Sequence, residues 1–145
     1  MKKSILCLLI MMMFCKGVYA MELTRAVIHH TAGSNETDRD LTVEEIDRYH
    51  KEKGWDGIGY HLLIRKDGEI CKGRDINTKG AHAVGRNDYI GIALTGYDTF
   101  TKEQIASLKE LIVKLGIKHI ERHHELCPGA GFDIEEIRKN LNLEK

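Results

Sequence analysis

The chain has 145 residues, and its 22 lysines and arginines balance 22 acidic residues, so the formal charge is zero with neutral histidines. This balance argues against nucleic acid as a partner, because nucleic-acid-binding domains carry an excess of basic residues. The length suits one domain with a single sizeable core, and the sequence contains no internal repeat, linker or low-complexity tract.

The first twenty residues are typical of a secretory signal peptide. Lys2 and Lys3 form a basic start, residues 5–14 are almost unbroken in apolar character, and Val18-Tyr19-Ala20 fits the small-x-small cleavage pattern apart from the bulk of Tyr19. The apolar run is shorter than the roughly 20 residues of a membrane-spanning helix. We therefore expect a signal peptide over residues 1–20 and an exported mature domain over residues 21–145, periplasmic or secreted, with no stable membrane anchor.

The mature domain has a charge of −3, from 19 basic and 22 acidic residues, and it keeps two of the four cysteines, Cys71 and Cys127. A disulfide between them is one possibility in an oxidising compartment. We favour two free thiols, because Cys71 lies in a strand-like run, where a small buried thiol is ordinary, and Cys127 follows two histidines.

The first half of the mature chain is predicted to contain a strand, a helix and a hairpin. The strand covers about residues 24–30 and is followed by a polar loop. The helix begins with the capping box Thr42-x-x-Glu45 and ends at Gly54. Two strand-like runs, 60–66 and 69–72, flank Asp67-Gly68, which is a strong hairpin signal.

The second half is predicted to alternate strands and helices. Residues 89–95 suit a central strand covered on both faces, and Gly91 within it indicates the close approach of another backbone. The remaining elements are a helix capped by Thr101-x-x-Gln104 and ended by Gly116, a strand near 117–123, and a helix capped by Asp133-x-x-Glu136. This order predicts an α/β or α+β domain with a single mixed central sheet flanked by helices.

The strongest chemical signal is the cluster His123-His124-Glu125-Leu126-Cys127, since imidazole and thiolate are preferred zinc ligands. A second pair, His29-His30, ends the first predicted strand. Because adjacent residues of an extended strand point to opposite faces, each histidine pair can give only one ligand to a single metal. Three protein ligands leave a fourth position open, as in catalytic zinc sites, whereas a structural zinc closed by both His123 and His124 would require the late strand to break there.

Several motifs in order resemble those of zinc-dependent N-acetylmuramoyl-L-alanine amidases of the type 2 class, whose fold is shared by peptidoglycan recognition proteins and amidase-type phage lysozymes. The motifs span about residues 24–133 and include Val27-Ile28-His29-His30-Thr31-Ala32-Gly33, Gly54-Trp55-Asp56-Gly57-Ile58-Gly59-Tyr60-His61, Gly80-Ala81-His82-Ala83 and His123-x-x-x-Cys127-Pro128-Gly129. The resemblance implies hydrolysis of the amide between N-acetylmuramic acid and L-alanine of peptidoglycan or muropeptides.

The resemblance also implies roles for individual residues. It assigns one Zn²⁺ to His29, His123 and Cys127, and a catalytic role beside the metal to Tyr60. His119 is a fallback ligand by spacing. Four further residues fall where the family's groove binds muropeptide: His61, Arg74, His82 and Asn87. The protein is expected to be a monomer.

One departure from the family pattern concerns the loop before Cys127. Many members have a longer loop there, with a lysine or threonine two residues before the cysteine, whereas this chain has Glu125 at that position. Glu125 could act as a general base or could simply be solvated, and we favour the second interpretation. The shortened loop keeps open the alternative of a peptidoglycan-binding recognition module without activity.

Overall fold

The computed structural model describes residues 20–31 and 38–145. The predicted signal peptide, apart from Ala20, lies outside the described residues. These described residues form eight helices and strands. They are β1 (Glu22–His30), α1 (Val43–Glu52), β2 (Leu62–Ile64), β3 (Ile70–Lys72), β4 (Tyr89–Leu94), α2 (Lys102–Leu115), β5 (His119–Arg122) and α3 (Ile134–Leu141).

The five strands form one mixed sheet in the order β3-β2-β4-β1-β5. β1 pairs in parallel with both β4 and β5, and β2 pairs in parallel with β4. The β2–β3 hairpin is antiparallel. The prediction of a single mixed sheet flanked by helices is therefore confirmed.

Both long helices begin where the sequence predicts. Thr42 Oγ1 accepts the Glu45 N–H at 3.2 Å, and Glu45 Oε2 accepts the Thr42 N–H at 2.8 Å, which completes a capping box. Thr101 and Gln104 form the same reciprocal pair at the start of α2. Gly116 ends α2 in the left-handed conformation, with φ of 66°.

The two faces of the sheet carry different cores. The larger core packs α2 and α3 against one face and contains buried residues such as Ile28, Ile92 and Leu108. The smaller core, on the α1 face, contains Ile46 of α1 and Ala93 of β4. Residues directly opposite each other on paired strands point to the same face of the sheet. Because His29 is paired with Ala93, the His29 side chain lies on the α1 face. Among the described residues, no helix is both long enough and apolar enough to span a membrane.

Candidate metal centre

His29 lies near the carboxyl end of β1, an interior strand of the sheet, and only 1% of its surface is exposed. β1 has a partner on each side, β4 and β5, so the backbone that carries His29 is held firmly. Rigid strands position side chains more accurately than loops do. The end of β1 therefore provides a fixed platform for one metal ligand.

His123 reaches the same place because β5 runs parallel to β1. Ile28 pairs with Arg122, the last residue of β5, and the His123 N–H donates to the Ile28 carbonyl oxygen at 3.2 Å. The rings of His29 and His123 consequently lie 4.6 Å apart, centroid to centroid. The predicted strand over 117–123 is thus too long, since β5 ends at Arg122 and His123 begins the following turn.

Cys127 is brought back to the histidines by this turn. The backbones of His124 and Cys127 exchange two hydrogen bonds, of 3.3 and 3.1 Å. The His30 N–H points at Cys127 Sγ at 3.4 Å, and Cys127 is 4% exposed. A backbone N–H directed at sulfur favours the thiolate, which is the form that binds metal. Cys71 and Cys127 are both free thiols, so the alternative of a disulfide is wrong.

The three predicted ligands form one group: a ring nitrogen of His29, a ring nitrogen of His123 and Cys127 Sγ all lie within 4.8 Å of one another. Zinc binds nitrogen and sulfur at about 2.0–2.3 Å, so small side-chain rotations would bring these atoms onto one ion. One thiolate and two imidazoles with an open fourth position form a donor set typical of catalytic zinc. The residues present therefore fit the metal that the resemblance implies.

Burial sets the ionisation of this group. It lowers the pKa of His29 well below its usual value and lowers the pKa of His123 to about 4, so both rings are neutral and keep a lone pair for a metal. Burial raises the pKa of the Cys127 thiol to about 11 in the metal-free protein. A bound cation reverses that preference, because a coordinating thiol is deprotonated outright.

The other candidate ligands lie elsewhere. His30 Nε2 bonds the Leu126 carbonyl oxygen at 3.2 Å. β5 does end before His123, as a structural zinc closed by both His123 and His124 would require. His124 nevertheless lies outside the ligand group, and its Nδ1 accepts the Leu126 N–H at 3.2 Å. His119 Nε2 lies 3.7 Å from a carboxylate oxygen of Glu121 at the other end of β5. The geometry thus favours His29 and His123 over all three.

Tyr60 lies beside the ligand group. Its ring centroid is 5.0 Å from that of His29. Burial and the neighbouring Cys127 raise the pKa of the Tyr60 hydroxyl well above its usual range. Tyr60 therefore stays a neutral phenol that can donate a hydrogen bond.

Of the four residues expected to contact substrate, His61 and His82 have both ring nitrogens engaged within the protein. His61 Nδ1 accepts the Gly91 N–H at 2.8 Å, and Nε2 bonds the Thr78 carbonyl oxygen at 2.8 Å. His82 Nδ1 lies 3.0 Å from His29 Nε2. Its own Nε2 lies 3.1 Å from the Tyr89 carbonyl oxygen. Both rings are buried, so this geometry leaves them no polar atom for a substrate.

Arg74 and Asn87 likewise use their polar atoms to hold loops. Arg74 donates to the carbonyl oxygens of Ile58 and Lys79, both at 2.9 Å, and forms an ion pair with Asp56. Asn87 Oδ1 accepts the N–H groups of His82 and Ala83, both at 2.8 Å. These contacts fix the loop that carries His82, so we interpret both residues as supports of the site.

Sequence reasoning missed Arg86. Its guanidinium donates to the carbonyl oxygens of Arg122 and His123, at 3.1 and 2.7 Å, and to Glu121 Oε1 at 3.1 Å. Arg86 thereby ties the His82 loop to the turn that carries His123. The only signal in the sequence is its place in the glycine-flanked loop of the Gly80-Ala81-His82-Ala83 motif, which does not distinguish it from a solvated arginine.

Known proteins show the same sequence pattern and the same fold. The family described as N-acetylmuramoyl-L-alanine amidase matches residues 19–130. The endolysin of Escherichia phage T7 is 36% identical over 129 residues, which cover 79% of this chain and 85% of that protein.

Two solved structures illustrate the shared fold. The N-acetylmuramoyl-L-alanine amidase LysC from Clostridium intestinale URNW superposes with a TM-score of 0.74 at 39% identity, covering 87% of this chain and 89% of that one. Drosophila PGRP-LB superposes with a TM-score of 0.69 at 28% identity, covering 83% and 82% of the two chains.

Proposed function

The chain belongs to the N-acetylmuramoyl-L-alanine amidase family, and we propose that it hydrolyses the amide between N-acetylmuramic acid and L-alanine of peptidoglycan with one zinc ion held by His29, His123 and Cys127. The observation that carries the metal assignment is the convergence of these three donors within 4.8 Å. The ligands come from the end of β1 and the turn after β5, about ninety residues apart in sequence.

When bound, zinc would polarise the scissile carbonyl and lower the pKa of a bound water. The protein's own residues prepare the site for this. Burial keeps His29 and His123 neutral, so each presents a lone pair without first losing a proton. The His30 N–H and a nearby guanidinium, that of Arg122, both favour negative charge on Cys127 Sγ.

Tyr60 is the residue that we assign to catalysis beyond the ligands. Its raised pKa keeps the phenol protonated at any working pH, so it acts as a hydrogen-bond donor. A donor fixed beside His29 can stabilise the charge that develops on the carbonyl oxygen of the scissile amide. Tyr60 does not need to take up or release a proton in this role.

Two relatives with a bound ligand support the proposed substrate class. A mutant of Drosophila PGRP-LB, 26% identical to this chain with a TM-score of 0.69, has been solved in complex with tracheal cytotoxin. The ectodomain complex of PGRP-LCa and PGRP-LCx, also 26% identical, has been solved with the same ligand. We propose that peptidoglycan or its muropeptide fragments bind over the metal centre of this chain. We also propose that the protein acts as a monomer.

The second candidate function, a recognition module without activity, is favoured by one observation. The turn between His123 and Cys127 holds only three residues, and the side chain two before the cysteine is the exposed Glu125. We nevertheless favour catalysis, because a module that only binds does not need a three-donor site with an open position.

Residues 1–20 are proposed to export the domain over residues 21–145, to the periplasm or beyond the cell. Peptidoglycan lies outside the cytoplasmic membrane, so export would bring the enzyme to its substrate. A fusion of these twenty residues to an otherwise cytoplasmic reporter, compared with a Lys2→Glu, Lys3→Glu version, tests this directly.

Product analysis tests the function itself. The purified domain is incubated with muropeptides of defined structure, and the products are separated and weighed by mass spectrometry. Amide hydrolysis yields a free lactyl carboxylate on the sugar and a peptide that begins with L-alanine. Binding of fragments without any such products would instead identify a recognition module.

A further inference from the structure

His82 occupies a slot that two glycines leave open. A Cβ added at Gly80 or at Gly91 would lie 2.4 or 2.5 Å from Cδ2 of the His82 ring, far inside van der Waals contact. The approach that the sequence predicted at Gly91 is thus that of a ring and not of another backbone. His61 closes the slot edge-on, with ring centroids 5.6 Å apart. The His82 ring lies enclosed in this slot and is only 8% exposed.

The hydrogen bonds of His82 determine where its proton lies. The Tyr89 carbonyl oxygen, 3.1 Å from Nε2, can only accept, so Nε2 carries the hydrogen. A neutral imidazole has a single N–H, which leaves Nδ1 as an acceptor. The group 3.0 Å from Nδ1 is His29 Nε2, which must therefore donate.

The tautomer of His82 in turn fixes the tautomer of His29. If His29 carries its hydrogen on Nε2, its only lone pair is on Nδ1. Nδ1 is also the ring nitrogen of His29 that makes no bond to His82, so it is the atom left for the ligand group. The Tyr89 carbonyl oxygen thus sets, through two rings, which nitrogen of His29 is presented to a metal.

We propose that His82 is a positioning residue that holds His29 in the Nε2-protonated tautomer and so presents Nδ1 to the metal. This inference rests on the proposed zinc site. In many metal sites a ligand histidine donates its second N–H to a carboxylate or a backbone carbonyl, which fixes the ring and the tautomer. Here a second histidine, His82, anchored on the Tyr89 carbonyl oxygen, takes that place.

Nitrogen NMR of the metal-free protein tests the tautomer without any zinc or any activity. Ring nitrogens of ¹⁵N-histidine-labelled protein at about pH 8, above the ordinary histidine pKa, report protonated and bare positions separately. We expect His29 with a protonated Nε2 and a bare Nδ1. A protonated Nδ1 on His29 in the wild-type protein would overturn the proposal, and that spectrum requires no variant to fold.

Zinc affinity of matched variants tests the consequence. In His82→Leu the acceptor is lost, whereas in His82→Asn an amide oxygen lies near the position of Nδ1 and can accept from His29. Competition with a chromogenic chelator should give about 10- to 100-fold weaker zinc binding for His82→Leu, and His82→Asn should recover most of it. His50→Asn is the control, since the His50 ring is also buried and accepts the Gly59 N–H. Its ring contacts within residues 38–145 are with Tyr49, Trp55 and Tyr60, none of which is a proposed ligand.

The proposal would be wrong if His82→Leu bound zinc as tightly as wild type, or if His82→Leu and His82→Asn lost equal zinc affinity. Either result would show that His82 only fills space beside His29. Circular dichroism of each metal-free variant checks the fold beforehand. A wild-type protein with the expected tautomer but no zinc binding would refute the proposed function and not the His29–His82 hydrogen bond, so the two failures are distinguishable.

Discussion

Arg86 Nη2 donates to the carbonyl oxygen of His123 at 2.7 Å, although the two residues are 37 positions apart in sequence. The same guanidinium also binds Glu121 and the Arg122 carbonyl oxygen. The bond therefore joins the loop that positions His82 to the turn that carries the second proposed metal ligand. The Arg86 side chain therefore supports both the loop that carries His82 and the turn that carries His123.

Replacing Arg86 should loosen this turn. Arg86→Met keeps much of the apolar stem and removes all three hydrogen bonds, so we expect a loss of about 1–3 kcal/mol in unfolding free energy and weaker zinc binding. Arg86→Lys, which can keep one bond, should fall between Arg86→Met and the wild type. Urea unfolding together with chelator competition measures both effects. An Arg86→Met protein with wild-type zinc affinity would show that the turn does not need this support.

Tyr60→Phe should separate catalysis from metal binding. The phenol is not a proposed ligand, so zinc affinity should stay within about twofold of wild type. The turnover number should fall by about 10- to 1,000-fold, since one hydrogen-bond donor to the developing charge is removed. Steady-state kinetics on a soluble muropeptide gives the turnover number. Undiminished turnover would remove Tyr60 from the mechanism.

Glu125→Gln should have little effect. The side chain is exposed in the short turn before Cys127, and a solvated carboxylate contributes little to either stability or catalysis. Loss of a true general base would cost about 100-fold or more in rate, so a change below about threefold supports the solvated interpretation. A large loss at all pH values would instead make Glu125 the substitute for the residue that this short turn lacks.

His50, which is not one of the proposed metal ligands, makes the stability of the protein depend on pH. Its Nδ1 accepts the Gly59 N–H at 3.0 Å, and burial lowers its pKa to about 4. Because the unfolded state takes up this proton at a higher pH than the folded state, folding loses stability as the pH falls from about 6.5 to about 4. The contribution is fully present above about pH 6.5.

The matched variant is His50→Asn, which should be less stable near pH 7 but should lose less stability on acidification. The difference approaches about 1.4 kcal/mol per pH unit within the window. Urea unfolding of both proteins at about pH 7.5, 5.5 and 4.5 provides the comparison. Equal losses in the two proteins would show that His50 does not couple folding to protons.

Local signals in the sequence predicted most of the fold. Capping boxes at Thr42 and Thr101 place both long helices within a residue or two, and the Asp67-Gly68 hairpin lies between β2 and β3 as expected. These features depend on neighbours in sequence, which is why they can be read from it. The strand order cannot, because the parallel pairing of β1 with β4 and β5 depends on contacts between distant segments.

The proposed metal ligands could also be predicted from the sequence, whereas the residues around them could not. His29, His123 and Cys127 carry donor atoms in a recognisable spacing, and the structure brings them together. Residues in the Gly80-Ala81-His82-Ala83 loop were harder to assign, since a histidine in a loop can face substrate, solvent or another side chain. The role of His82 depends on the slot at Gly80 and Gly91 and on the Tyr89 carbonyl, which are tertiary features.

The most direct test of the proposed metal centre is zinc-dependent cleavage measured on matched cysteine variants. Wild type, Cys127→Ala and Cys71→Ala are stripped with a chelator, assayed on a muropeptide, and assayed again after zinc is restored. We predict that wild type and Cys71→Ala regain about one zinc per chain and full cleavage, whereas Cys127→Ala regains less than about a thousandth of the activity. Cleavage that survives chelation, or an active Cys127→Ala protein, would contradict the proposed metal centre.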